Sequence, residues 1–162
     1  MNEKIQNINY SEDLAKINIG GLYGFIDYWG TIKIPIQYEQ VDLFHNGLAI
    51  VKNTNNRYGI IDKYNRTAIP FKYQKILKFD ENSFRVKLNN YWGILTKENI
   101  IQIPIKYNYI SNPVVLSMLV KVDNKWGVIG MHGEVIIPIQ FRFDDVVSLI
   151  DPDVDVDLGI EI

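Results

Sequence analysis

Tyr23-Gly24-Phe25-Ile26-Asp27, then a turn, then Ile32-Lys33-Ile34-Pro35-Ile36-Gln37-Tyr38: this stretch decides the fold, because the chain contains four versions of it. The others run from Tyr58-Gly59 to Pro70 and Tyr73, from Trp92-Gly93 to Pro104 and Tyr107, and from Trp126-Gly127 to Pro138 and Phe141. In each copy the proline follows the glycine by 11 residues and an aromatic follows the proline by 3, while the glycines lie 35, 34 and 34 apart. Self-similarity at such a period marks a repeat architecture, in which a unit buries its apolar face only against its neighbours.

Ending each unit at its Pro-x-x-aromatic gives units 4–38, 39–73, 74–107 and 108–141, with a partial closing unit 142–162, all in one domain spanning 1–162. Each unit reads as three short strands. The first is alternating or continuously apolar, as in Leu48-Ala49-Ile50-Val51 and Phe84-Arg85-Val86-Lys87-Leu88. The second opens with the aromatic-glycine pair, and the third ends at the proline. The stretch from Glu39 to Phe44 has room for a single helical turn. The sixth residue after the motif glycine is Gly30, Asn65, Asn99 or Gly133. Only glycine and asparagine appear, so a turn residue with positive φ is expected there. Asp27, Asp62 and Thr96 can accept backbone amides at the turn entrance, whereas Gly130 breaks that pattern.

An interior strand glycine marks a close approach, and an aromatic from an adjoining unit is expected to lie over it. Proline cannot donate to a ladder, so it is expected to stop the third strand and send the chain into the next unit. These features predict an all-β array of three-stranded antiparallel units in an open superhelix. A closed propeller is the alternative, disfavoured because about 34 residues are short for four strands per blade.

The pattern of Trp/Tyr-Gly, x-Ile-Asp, turn and Ile-Pro-x-x-Tyr at this period resembles the WG-repeat (KWG) family of bacterial β-repeat proteins, over nearly the whole chain. Tyr23 and Tyr58 stand where Trp is typical, and Thr96 and Gly130 where Asp is typical. The resemblance implies a β-rich repeat protein used in interactions and implies no activity.

Composition agrees with a folded module. Of 162 residues 47% are hydrophobic and 12% aromatic, ample for a packed core. With no long apolar run and no signal-peptide pattern, the expected location is cytoplasmic, away from membranes. The absence of cysteine removes disulfides, thiolate metal sites and cysteine nucleophiles together. Charge is unevenly laid out. Residues 1–56 carry four Lys/Arg and six Asp/Glu, residues 57–106 ten and four, and residues 107–162 three and nine. The middle third is thus basic and the last third acidic, which bears on the choice of partner.

Catalytic constellations are missing: no Gly-x-Ser-x-Gly, no phosphate-binding loop with lysine and no His-Glu-x-x-His. His45 and His132 lie in different units, so neither a metal nor another cofactor is expected, and the chain is not expected to be an enzyme. At the turn tips stand Trp29, Tyr64, Glu98 and His132. Trp29 and Tyr64 are candidate contacts to a partner or a sugar, unless each packs on the next unit's turn. Lys72, Lys75, Lys78, Arg85 and Lys87 interleave with Phe71, Tyr73 and Phe79, but these aromatics hold repeat positions and belong to the core. A solvated basic face is therefore expected rather than a nucleic-acid site.

In the tail, Val154, Val156, Leu158, Ile160 and Ile162 alternate with Asp153, Asp155, Asp157 and Glu161, as in a strand with one acidic face. The calcium-loop reading fails because Leu158 stands where that loop needs glycine. Asp151, Asp153, Asp155, Asp157 and Glu161 are candidate contacts to a protein with a basic surface. The function expected is a non-catalytic protein-binding or scaffold module, extending to an immunity protein that neutralises a basic toxin. A carbohydrate-binding module using the turn aromatics is the alternative.

Overall fold

The computed structural model of the chain describes residues 9–150 apart from Val115. Four antiparallel sheets of four strands succeed one another, each with its strands in sequence order. The first holds β1 (Tyr10–Ser11), β2 (Leu14–Ile19), β3 (Leu22–Ile26) and β4 (Ile32–Tyr38). The second holds β5 (Gln40–Val41), β6 (Leu48–Lys52), β7 (Tyr58–Asp62) and β8 (Thr67–Tyr73). The third holds β9 (Lys75–Lys78), β10 (Ser83–Leu88), β11 (Tyr91–Thr96) and β12 (Ile101–Tyr107). The fourth holds β13 (Tyr109–Ile110), β14 (Ser117–Val122), β15 (Lys125–Gly130) and β16 (Val135–Phe141), and α1 (Phe143–Ile150) follows.

The fold is therefore an all-β repeat array, but its units have four strands rather than the three expected. The extra strand is short, only two residues in β1, β5 and β13 and four in β9, too brief for alternation to announce it. Glu39–Phe44 accordingly forms no helical turn, since Gln40 and Val41 pair with Lys52 and Val51. This strand also fits four strands into about 34 residues, which removes the length objection to a propeller.

What shows an open array is the core. One cluster joins Phe25 and Ile34 to Val51 and Ile61, a second joins Ile60 and Ile69 to Val86 and Leu95, and a third joins Ile94 and Ile103 to Met118 and Ile129. Among the described residues these clusters join each sheet only to the next.

Both faces of an inner sheet are covered. Neighbours along a strand point to opposite faces. Yet Ile60 and Ile61 are each fully buried, the first against the third sheet and the second against the first. Among the described residues no fifth sheet follows the fourth, and α1 covers its face by setting buried Val146 against Leu119 and Val128. Phe143, Val146, Val147 and Ile150 fall at helical spacing and pack together there.

The Gly-Pro pairing within each repeat is explained by register. Tyr23 pairs with Tyr38 and Phe25 with Ile34, so Gly24 alone opposes Pro35-Ile36-Gln37. The same irregularity recurs in the other three sheets. The proline thus lies inside the fourth strand, within a bulge on the sheet's outer edge, and does not end the strand as expected. Its missing N–H removes no ladder bond there.

The bulge also brings backbone onto the glycine. A Cβ at Gly93 would sit 2.7 Å from the Ile103 carbonyl oxygen and 2.8 Å from Ile105 Cα. The close approach comes from the unit's own fourth strand, not from an aromatic of an adjoining unit. Turn chemistry follows the expectation: Gly30, Asn65, Asn99 and Gly133 all have positive φ, between 61° and 89°.

Two stability outcomes follow from this packing. Gly93→Ala is expected to cost more than the roughly 1 kcal/mol that glycine's conformational effects explain, because backbone must move. Val146→Ala should cost about 2 kcal/mol by opening the terminal cluster. Urea denaturation of each variant checks both, and a midpoint equal to wild type would contradict the packing described.

Candidate functional site

An opening runs between the second and third sheets, where short strands β5 and β9 are the first-strand edges. Its inner part, about 170 Å³, lies between Gln40, Lys52 and Tyr58 on one wall and Lys75, Ile76 and Leu77 on the other. Asp42 and Ile50 continue the wall into a part of about 90 Å³ bounded by Leu48, Phe84 and Lys97. Asp80, Glu81 and Lys97 lead on to an open, polar cavity of about 600 Å³ at the turn end of the third sheet. Leu48, Ile50 and Phe84 pack at the margin of the core, so the inner floor is apolar.

The sequence builds this cleft through carboxylates in its turns. Glu81 accepts hydrogen bonds from Lys78 at 2.9 Å and Asn46 at 2.8 Å and contacts His45 Nε2 at 2.9 Å, tying the third sheet to the β5–β6 turn. From the opposite side Glu12 accepts the Gly47 N–H at 2.9 Å and pairs with Lys63 at 3.1 Å. The turn at 45–47 is thus held between carboxylates of the two flanking units. Hydrogen bonds from Lys78, His45 and Asn46 hold the Glu81 carboxyl down at about 2. Asp42 keeps an exposed side, yet desolvation pushes its carboxyl up, against the pull of Lys16.

In the polar cavity the Ser83 hydroxyl is buried without a hydrogen-bond partner, beside Thr96 and Asn82. It offers a donor to an incoming group.

The turn-tip aromatics lie elsewhere, on the edges formed by the hairpins. Asp27 accepts the amides of Trp29 and Thr31 at 2.9 Å, and Asp62 accepts those of Tyr64 and Arg66 at 2.9 Å. Desolvation would raise both carboxyls, but these amides and the adjoining Lys33 or Arg66 hold them below the usual range. The turns leave Trp29 57% and Tyr64 79% exposed, with Arg66 5.0 Å over the Tyr64 ring. The rings are therefore available to solvent. In the fourth sheet, Gly130 lacks the turn carboxylate, and Glu134 folds back to fill that space and accept the His132 amide at 3.1 Å. Asp151, Asp153, Asp155, Asp157 and Glu161 lie outside the described residues.

The sequence had not singled out Asp42, Glu81 or Phe84. Their only signal is position, in or beside a turn facing another unit, which becomes visible once the stacking order is known. The aromatics of the basic stretch fall in the core as expected, with Tyr73 buried and Phe71 and Phe79 packed against clusters.

Four bulged meanders stacked by their faces define an all-β repeat protein. A family model for WG-containing repeats matches two tandem copies, residues 23–57 and 58–92, so the chain carries WG-type repeats over that stretch. The third and fourth sheets continue the same register and the same bulge beyond the matched residues. No curated protein matches the chain at significant similarity. Among the described residues no helix is long and apolar enough to cross a membrane.

The Glu81 cluster has a pH signature. Its carboxyl is depressed from 4.5 to about 2, so its contribution to stability is present above pH 4.5 and is lost as pH falls through about 2. The difference between wild type and Glu81→Gln should hold constant at neutral pH and shrink across that window. Side-chain carboxyl NMR titration checks the cause: His45→Ala should raise the Glu81 midpoint, and an unmoved midpoint would remove the inter-sheet contact from the account.

Proposed function

We propose that this chain is a protein-binding module without catalytic activity, and that a protein partner lays an extended segment into the cleft between the second and third sheets. The cleft supports this reading. Its narrower parts, about 170 and 90 Å³, fit single side chains, and the adjoining part of about 600 Å³ leaves room for more of the segment. Two first-strand edges flank them, and an extended segment meets such edges through its own main chain. Charged rims of both signs, Lys52 and Lys75 against Asp42 and Asp80, set register rather than affinity.

The narrower form of the proposal is a cytoplasmic immunity protein that neutralises a basic toxin. It rests on the acidic last third, where three Lys/Arg face nine Asp/Glu, including Asp151, Asp153, Asp155, Asp157 and Glu161. A second reading, carbohydrate binding, is favoured by the exposure of Trp29 and Tyr64. Depletion of the protein onto insoluble polysaccharide, abolished by Trp29→Ala with Tyr64→Ala, would establish that reading in place of the first.

Ile50→Arg tests the cleft, and the third sheet shows that this position accommodates arginine, since Arg85 occupies the equivalent register. The folded variant is expected to lose a protein that the wild-type chain captures from native extract, and an unchanged capture profile would overturn the cleft reading. Changing Asp153, Asp155 and Asp157 together to Asn tests the narrower form, which requires slower association with a basic partner and weaker salt dependence.

A further inference from the structure

The repeats allow one sheet edge to be compared with the next, residue by residue. In the second sheet Gln40 pairs with Lys52 and Lys52 with Tyr58. In the third, Lys75 pairs with Lys87 and Lys87 with Trp92. Glu39 and Gln74 are equivalent, each donating its amide to the carbonyl of that lysine, Lys52 or Lys87, at 2.8 Å. Glu39 neutralises Lys52 at 3.0 Å, and Gln74 has no charge to offer Lys87. Ile50 gives way to Arg85, and Asp42 gives way to Leu77. Between one unit and the next this edge therefore loses both carboxylates and gains two cations.

Two cations of the third sheet share one ring, and a third stands across from one of them. Arg85 and Lys87 each lie 5.6 Å from the Trp92 centroid, and Lys75 is directly across from Lys87. Like charges opposed across a strand pair destabilise a sheet. Among the described residues no carboxylate pairs with any of the three. Arg85 donates Nη1 to the Ile110 carbonyl at 2.7 Å, which fixes the guanidinium, while its Nε is buried without a partner. Burial lowers the Arg85 pKa and the neighbouring Tyr109 opposes this, so the cation is held partly desolvated with no counter-charge. Tyr107, paired with Trp92, and Tyr109, paired with Lys121, are titratable groups beside the cluster.

We propose that Lys75, Arg85 and Lys87 form a carboxylate-binding site for an acidic segment of a protein partner. The proposal rests on the protein-binding reading above and names the chemistry of what is bound; Lys75 also lines the cleft. A nucleic acid fits less well, because a phosphate backbone needs a track of cations and free aromatic faces. Here the cations sit on two adjacent strands of one sheet, and Trp92 packs against the core under two of them. Beside them β9 gives an extended peptide a strand edge to lie along.

Fluorescence anisotropy with a labelled oligoglutamate peptide tests the site on the full chain. Binding is expected at about 10 mM salt, where exposed charges still interact, and should weaken steeply by 150 mM. Lys75→Gln with Lys87→Gln should bind about tenfold more weakly, while Lys72→Gln with Lys125→Gln should bind as wild type. Arg85→Lys, which keeps the charge and loses the planar fork, should also weaken binding.

No peptide binding by wild type, or equal weakening by both double variants, overturns the site. Tighter binding of a single-stranded DNA oligonucleotide than of the peptide overturns the choice of occupant. If the peptide fails to bind while capture still depends on Ile50, this inference falls and the protein-binding reading stands.

Discussion

Every inner sheet of this protein has two apolar faces and therefore needs two neighbours. Ile60 and Ile61 show the constraint in adjacent residues: both are inaccessible to water, and they belong to different clusters. A unit on its own could not offset the entropy of ordering its short strands. Stacking supplies the missing cover, and stacking in turn leaves an open face at the end of the row. Helix α1 resolves that at the fourth sheet with four apolar side chains. The face of the fourth sheet is thus covered by a different kind of element, whereas another sheet would renew the requirement.

The bulge is the second constraint, and it decides what the strand edges can do. With the proline held in the outer strand, one edge of each sheet carries a kinked strand of seven residues, Ile32–Tyr38 in the first. The opposite edge carries a strand of two to four residues. The short edges leave the cleft between the second and third sheets accessible, with Gln40 of β5 and Lys75 of β9 on its two walls.

Much of this was legible in the residues. The period, the positive-φ turn positions, the capped turns and the assignment of Tyr73 to the core all follow from local chemistry that each repeat states for itself. What escaped depends on partners far away in sequence. The strand at Gln40 is too short to show alternation. The role of Gly93 depends on the register of the strand ten residues on, and the cleft depends on which unit stacks on which. Helix α1 carries a local signal in the helical spacing of Phe143, Val146, Val147 and Ile150, but it stands where the repeat period calls for another β-unit. The cation cluster stands between these cases: the replacement of Glu39 by Gln74 is visible in the sequence, while the opposition of Lys75 and Lys87 needs the ladder.

The matched family repeats begin at Tyr23 and Tyr58, in the middle of a sheet. Residues 23–57 contain the last two strands of the first sheet and the first two of the second. A tandem duplication of such a segment adds two half-sheets, each complementary to the half already waiting beside it. Copy number can therefore change by whole repeats without leaving a hairpin unpaired at the junction, and the terminal helix stays attached to the last sheet. The chain is put together like overlapping roof tiles, so a whole repeat added or removed would leave the seams the same.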